Sequence, residues 1–101
     1  FLGAKGWIAG IGLAFPKENQ HLWNLMMAGQ WEEARTLYRW YSPLLHLDVG
    51  IKFVQKIKLA IQECGLGAEH VRLPRLPLTG AERKEAMTII HAGLDARPQV
   101  P

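Results

Sequence analysis

The chain has 101 residues, is 49% hydrophobic and holds four tryptophans, enough for one modest core and too apolar for a disordered segment. Its net charge of +3 is scattered along the chain rather than gathered in a run, which argues against nucleic acid as a partner. The single cysteine, Cys64, excludes an internal disulfide and fits a reducing, cytoplasmic setting, and no run reaches the ~20 apolar residues of a membrane helix, so no membrane is expected either.

Residues 1–15 are apolar, carry one charge, Lys5, and hold Gly3, Gly6, Gly10 and Gly12. With the charge inside the apolar run and no basic leader, the stretch does not read as a secretory signal. Glycines remove side chains where a backbone passes close to something. Residues 6–10 read as a short strand buried on both faces, as in a covered parallel sheet. No other segment has this texture, so the strand is expected to be the last of a sheet whose other strands lie outside the chain.

Pro16 suits the first position of a helix. That helix is expected over 16–28, with Leu22, Leu25 and Met26 as its apolar stripe and Gly29 as a left-handed terminator. A second, over 31–45, places Trp31, Ala34, Leu37, Tyr38, Tyr41 and Leu45 at three- and four-residue steps, and Pro43 should bend or fray its last turns. A third puts Ile51, Val54, Ile57, Ile61 and Cys64 on one face and Lys52, Gln55, Lys56, Gln62 and Glu63 mainly on the other, ending at Gly65 and Gly67. Two prolines forbid helix over 70–78, where leucines alternating with Arg72 and Arg75 suit a connector pressed onto the body better than an exposed polyproline ligand. Thr79-Gly-Ala-Glu82 is a capping-box pattern that opens a fourth helix running to residue 92. It should bury Ala86, Ile89 and Ile90, with Gly93 and Pro98 closing it and 98–101 as a frayed tail.

The chemistry-bearing motifs are few. His21, His46, His70 and His91 are too far apart for a local metal motif, so no metal and no cofactor are expected, and Cys64 reads as a small core residue. No paired carboxylates, phosphate loop or nucleophile elbow is present. Residues 31–38 look like one helix of a tetratricopeptide unit but do not recur.

The order of features is nevertheless specific. Gly6-Trp-Ile-Ala-Gly10, then Ala28-Gly-Gln-Trp-Glu-Glu-Ala-Arg35, Pro43, Lys58-Leu-Ala-Ile-Gln-Glu-Cys-Gly-Leu66 and Arg72-Leu-Pro-Arg-Leu-Pro-Leu78 together resemble the C-terminal third of the dihydrodipicolinate synthase and N-acetylneuraminate lyase family. The resemblance implies a mainly α chain of four helices plus one N-terminal strand, the C-terminal piece of a TIM-type (β/α)8 barrel. Residues 1–29 would be the last barrel strand and barrel helix, and residues 30–101 a three-helix domain with its connector at 70–78. It implies a cytoplasmic homo-oligomer, usually a tetramer, that binds pyruvate or a similar 2-oxo acid as a Schiff base on a lysine.

That lysine, the catalytic tyrosine and the carboxylate-binding hydroxyls are implied upstream of Phe1, so no catalytic residue is expected here and the chain alone should be inactive. Neither Lys5 nor Lys58 matches the Schiff-base position. Ile8, Ala9 and Gly10 match the end of the eighth strand and are the implied lining of the substrate pocket, at the end of the barrel where such sites lie. Ala9 stands where a serine is common, and Asp48-Val-Gly50 where synthases often have Asn-Pro. A sugar-acid dehydratase or a hydroxyproline-pathway deaminase therefore stays open within the family, and a stand-alone helical interaction module is the reading of a different class.

Overall fold

Pro16 leaves no N–H unpaired and holds φ near the helical value; in the computed structural model, which describes residues 2–101, α1 begins there and runs Pro16–Met27. Phe1, the start of the apolar stretch, lies outside the described residues. The helix stops at Gly29, whose φ of 73° favours glycine, and the Gln30 N–H reaches back to the Leu25 carbonyl at 2.9 Å, the closing bond of such a terminus. Three further helices complete the expected four: α2 (Trp31–Leu45), α3 (Phe53–Glu63) and α4 (Gly80–Asp95). α3 stops as α1 does, at Gly65, with the Leu66 N–H on the Ile61 carbonyl at 3.0 Å. Past Pro43, α2 gives way after Leu45 to a 3-10 turn, His46–Asp48.

The N-terminal strand is the main departure from expectation: among the described residues no strand forms. A ladder needs a second strand to receive its N–H and C=O groups, and among the described residues no second strand is present to pair with it. Residues 2–8 are exposed, and the backbone turns inward only at a 3-10 turn, Ile11–Leu13. There Ile11, Ala14 and Phe15 are fully buried. The apolar stretch thus divides, its second half joining a core made with Leu22 and Leu25 of α1, Tyr41 and Leu44 of α2, Leu59 of α3 and Ile90 of α4.

The third helix is rotated from its expected face. Ile51 precedes α3 and is 92% exposed, while Gln55 and Leu59 are buried beside Ile57 and Ala60. The connector crosses the Gln55 side, and the Gln55 Nε2 donates to the Leu76 carbonyl at 3.1 Å, which offsets part of the cost of burying the amide. Of the connector's leucines only Leu78 is buried; Leu73 and Leu76 face solvent.

Nor does the fourth helix end where Gly93 suggested. Thr79 is its N-cap, but the hydroxyl makes no capping bond, and the Glu82 carboxylate accepts from the Lys52 Nζ at 2.6 Å instead of reaching back to the Thr79 N–H. At the other end α4 continues through Gly93 to Asp95. Gly93 is a contact residue: a Cβ there would lie 2.9 Å from Leu44 Cδ1, and its carbonyl accepts the Trp40 Nε1–H at 2.8 Å. Gly93→Val should therefore overpack the α2–α4 contact and cost about 2 kcal/mol. Urea unfolding followed by tryptophan fluorescence measures it, and an unchanged midpoint would mean that Leu44 has room to yield. The C-terminal tail is less loose than expected, since Pro98 and Val100 are half-buried and line a groove with Leu25, Leu37 and Trp40.

Candidate functional site

The three residues implied to line a substrate pocket sit at the inward turn of the chain. Ile8 is fully exposed, whereas Ala9 and Gly10 are half-buried, and Gly10 is the N-cap of the Ile11–Leu13 turn, its carbonyl accepting the Leu13 N–H at 3.2 Å. The reason for glycine at this position is steric. The Asp48 side chain occupies the space a side chain at residue 10 would need, with Oδ2 2.4 Å and Oδ1 2.8 Å from the position of an added Cβ. Gly12 is seated in the same way on Asn19, whose Cγ would lie 3.1 Å from its added Cβ.

Behind these two glycines stands a buried phenol. The Tyr41 hydroxyl donates to Asn19 Oδ1 at 2.8 Å, and its ring meets Phe15 edge-on at 6.3 Å and Trp7 at 6.5 Å. Burial, with the charges of Glu18 and Asp48 adding to it, pushes the phenol far above its ordinary range. Tyr41 is therefore a neutral hydrogen-bond donor here and not a base. The Gly10–Gly12 turn is thus packed closely against the Asp48 carboxylate and the Asn19 amide, the latter bonded to the phenol.

The lysines are divided between different surfaces. Lys5 lines a 220 Å³ cavity with Trp7, Asn19, Gln20 and Trp23, while Lys58 lines a separate cleft between α3 and the connector. Among the described residues no group of three His, Cys, Asp or Glu side chains is placed to hold a metal ion, and His91 Nε2 lies 2.6 Å from Glu63 Oε1 across α3 and α4. Cys64 caps α3, half-buried against the core. Burial pushes its thiol up, the Arg97 charge opposing and those of Glu18 and Glu63 adding, the opposite of what activates a thiol. Asn19, Tyr41 and Asp48 carry no sequence signal that ties them to Gly10 and Gly12. The glycines themselves announce a close approach, but not what approaches.

The profile of the dihydrodipicolinate synthetase family matches residues 1–93. Among curated proteins, the chain is 32% identical over 82 residues to a 4-hydroxy-tetrahydrodipicolinate synthase of Leuconostoc mesenteroides, covering 81% of this chain and 28% of that protein. It is 30% identical over 92 residues to the synthase of Geotalea daltonii, covering 87% and 30%, and 33% identical over 82 residues to that of Chlorobaculum parvum, covering 81% and 28%. The chain thus spans about 30% of the length of these relatives. No solved structure matches it.

Proposed function

The chain belongs to the dihydrodipicolinate synthetase family, and from that premise we propose that it is the C-terminal segment of a Schiff-base lyase acting on pyruvate or a similar 2-oxo acid. The observation that carries this is the family match over residues 1–93, a span that takes in the glycine-rich start, the proline-rich connector and nearly all of the four helices. In this reading residues 1–29 supply the last barrel strand and its helix, residues 30–101 the helical domain, and the whole enzyme is a homo-oligomer.

The exposure of residues 2–8 supports it physically. An apolar segment with unpaired N–H and C=O groups is a sheet edge without a sheet, and neighbouring barrel strands would pair it. Ile8, Ala9 and Gly10 then line the pocket at the C-terminal end of the strand, while Asp48 and Asn19 hold the turn behind them. No residue of this chain serves as the electrophile-capturing amine. A Schiff-base lysine needs a desolvated or positively biased pocket; Lys5 lies on the exposed segment and Lys58 on the far surface of α3. The chain alone is accordingly inactive.

Borohydride trapping with pyruvate, read by mass spectrometry, tests this. The chain alone should gain no adduct, and joining it to the upstream two thirds of the Leuconostoc synthase should give one adduct, on the upstream part. Stoichiometric trapping on Lys5 or Lys58 would overturn the reading, as would a folded chimera that traps nothing.

A further inference from the structure

A second surface of the molecule has the makings of a ligand site. Between α3 and the connector lies a cleft of 650 Å³ whose apolar part is Val54, Val71 and the Leu73-Pro74 pair and whose polar part is Lys58, Arg72 and Arg75. No acidic residue lines it. The ion pairs among the described residues all use other bases: Arg35, Lys52, Arg83, His91 and Arg97. Three cations therefore share one open cleft with no counter-charge among its lining residues, and the potentials of neighbouring like charges add up.

The wall that carries the arginines is also held in place. The Arg75 N–H donates to the Arg72 carbonyl at 3.1 Å, closing a turn that sets both side chains on one loop. Gln55 of α3 anchors the next residue, Leu76, through its carbonyl, and the Arg75 guanidinium lies 5.7 Å over the Phe53 ring, a contact that restricts the side chain without consuming its charge. A pinned loop loses less freedom when a ligand binds.

We propose that this cleft binds a small organic anion with two or more carboxylates on a carbon skeleton. Guanidinium forks match carboxylates in a bidentate geometry, and the valine, leucine and proline surface between the cations suits carbon rather than a bare inorganic ion. The site stands independently of the lyase reading, because none of its lining residues lies around Gly10.

Citrate is the probe. Calorimetric titration of the chain at low ionic strength should show saturable binding with a Kd below about 1 mM, with amide shifts in NMR confined to Lys58 and the 70–78 connector. Arg72→Ala should weaken it about tenfold, the worth of one charge-assisted contact, and Lys58→Gln by a similar factor. Arg72 is exposed and Lys58 half-buried, so circular dichroism and the urea midpoint of each variant are compared with those of the unmodified chain, and unchanged values confirm that the variants fold. Lys84→Ala, which removes the same charge from α4, should leave citrate binding unaltered. No saturation, or equal weakening by Lys84→Ala, would overturn the site; inorganic phosphate binding as tightly as citrate would overturn the assignment to an organic anion.

Discussion

Tyr41→Ala is expected to destabilise the chain by about 4 kcal/mol, more than any other single truncation in the core. The ring is fully buried, stacked on Trp40 at 5.6 Å and met edge-on by Phe15, so its removal leaves a cavity walled by large aromatic side chains that cannot close in. Aromatic pairs add about 0.5–1.5 kcal/mol beyond the area they bury. Against a total stability of about 5–15 kcal/mol for a domain of this kind, the loss removes a large part of the folded population. Tyr41→Phe keeps the packing and loses only the bond to Asn19, for about 1 kcal/mol. Urea titrations of the two variants separate these contributions, and an alanine variant no less stable than the phenylalanine one would show that the aromatic cluster does not hold the core. The raised phenol adds a pH limit with a definite sign. The folded state favours the protonated form, so this stability is complete below the ordinary tyrosine value near 10 and is lost progressively as pH rises beyond it.

A comparable loss should follow from breaking the ion pair between the first helix and the chain's end, in which the carboxylate is buried and the guanidinium covers it from the surface. The Glu18 carboxylate is 2% exposed and takes a fork from Arg97, Nε to Oε2 at 2.7 Å and Nη2 to Oε1 at 3.2 Å. The guanidinium itself lies 5.2 Å over the Phe15 ring. Arg97→Ala leaves a buried carboxylate without its counter-charge, at a cost of about 3 kcal/mol at pH 7. Burial by itself would raise the Glu18 carboxyl, but the Arg97 hydrogen bonds, a bond from its own backbone and the charges of Arg97 and Lys17 outweigh it, and the group titrates below its ordinary value. In the native chain the stability it contributes is therefore full above the ordinary carboxylate value near 4.3 and is lost as pH falls through the lowered one. The variant reverses the sign, because without Arg97 the buried carboxyl prefers its proton. The difference between variant and native chain should shrink from pH 7 to about pH 4.5. Parallel unfolding curves at the two pH values check this, and a gap that is constant or widens would mean that the pair is solvated in solution.

How much of this was legible in the sequence depends on the range of each signal. Pro16, Gly29 and Gly65 act on their own backbone, so the helix limits they imply appear where expected. Three- and four-residue periodicity found Leu22, Leu25, Ala34, Leu37 and Tyr41, which are buried, but placed Gln55 on a solvent face that the connector covers. Gly93 announced a terminus and became a helix contact, because Leu44 approaches from another helix. The Glu82 half of the capping box was lost for a similar reason: its carboxylate has a partner in Lys52, 30 residues away. The resemblance named the family and picked out Ile8, Ala9 and Gly10, yet nothing local could say that Asp48, on the far side of α2, would be seated over Gly10. Patterns read along the chain report what a residue does to its neighbours in sequence; what fills the space beside it depends on which elements meet.

The Glu18–Arg97 pair also orders events in time. Its members are 79 residues apart, whereas α1 and α2 meet across the short turn at Gly29. Closing a long loop costs more entropy than closing a short one, which favours early assembly of the α1–α2 hairpin and formation of the ion pair together with the docking of α4, whose end carries Arg97. A contact made after the rate-limiting barrier does not set how fast a chain folds; it sets how slowly the chain comes apart. If the fork forms last, it acts as a brake on unfolding: Arg97→Ala should then speed unfolding and leave the folding rate nearly unchanged, which stopped-flow folding and unfolding rates check.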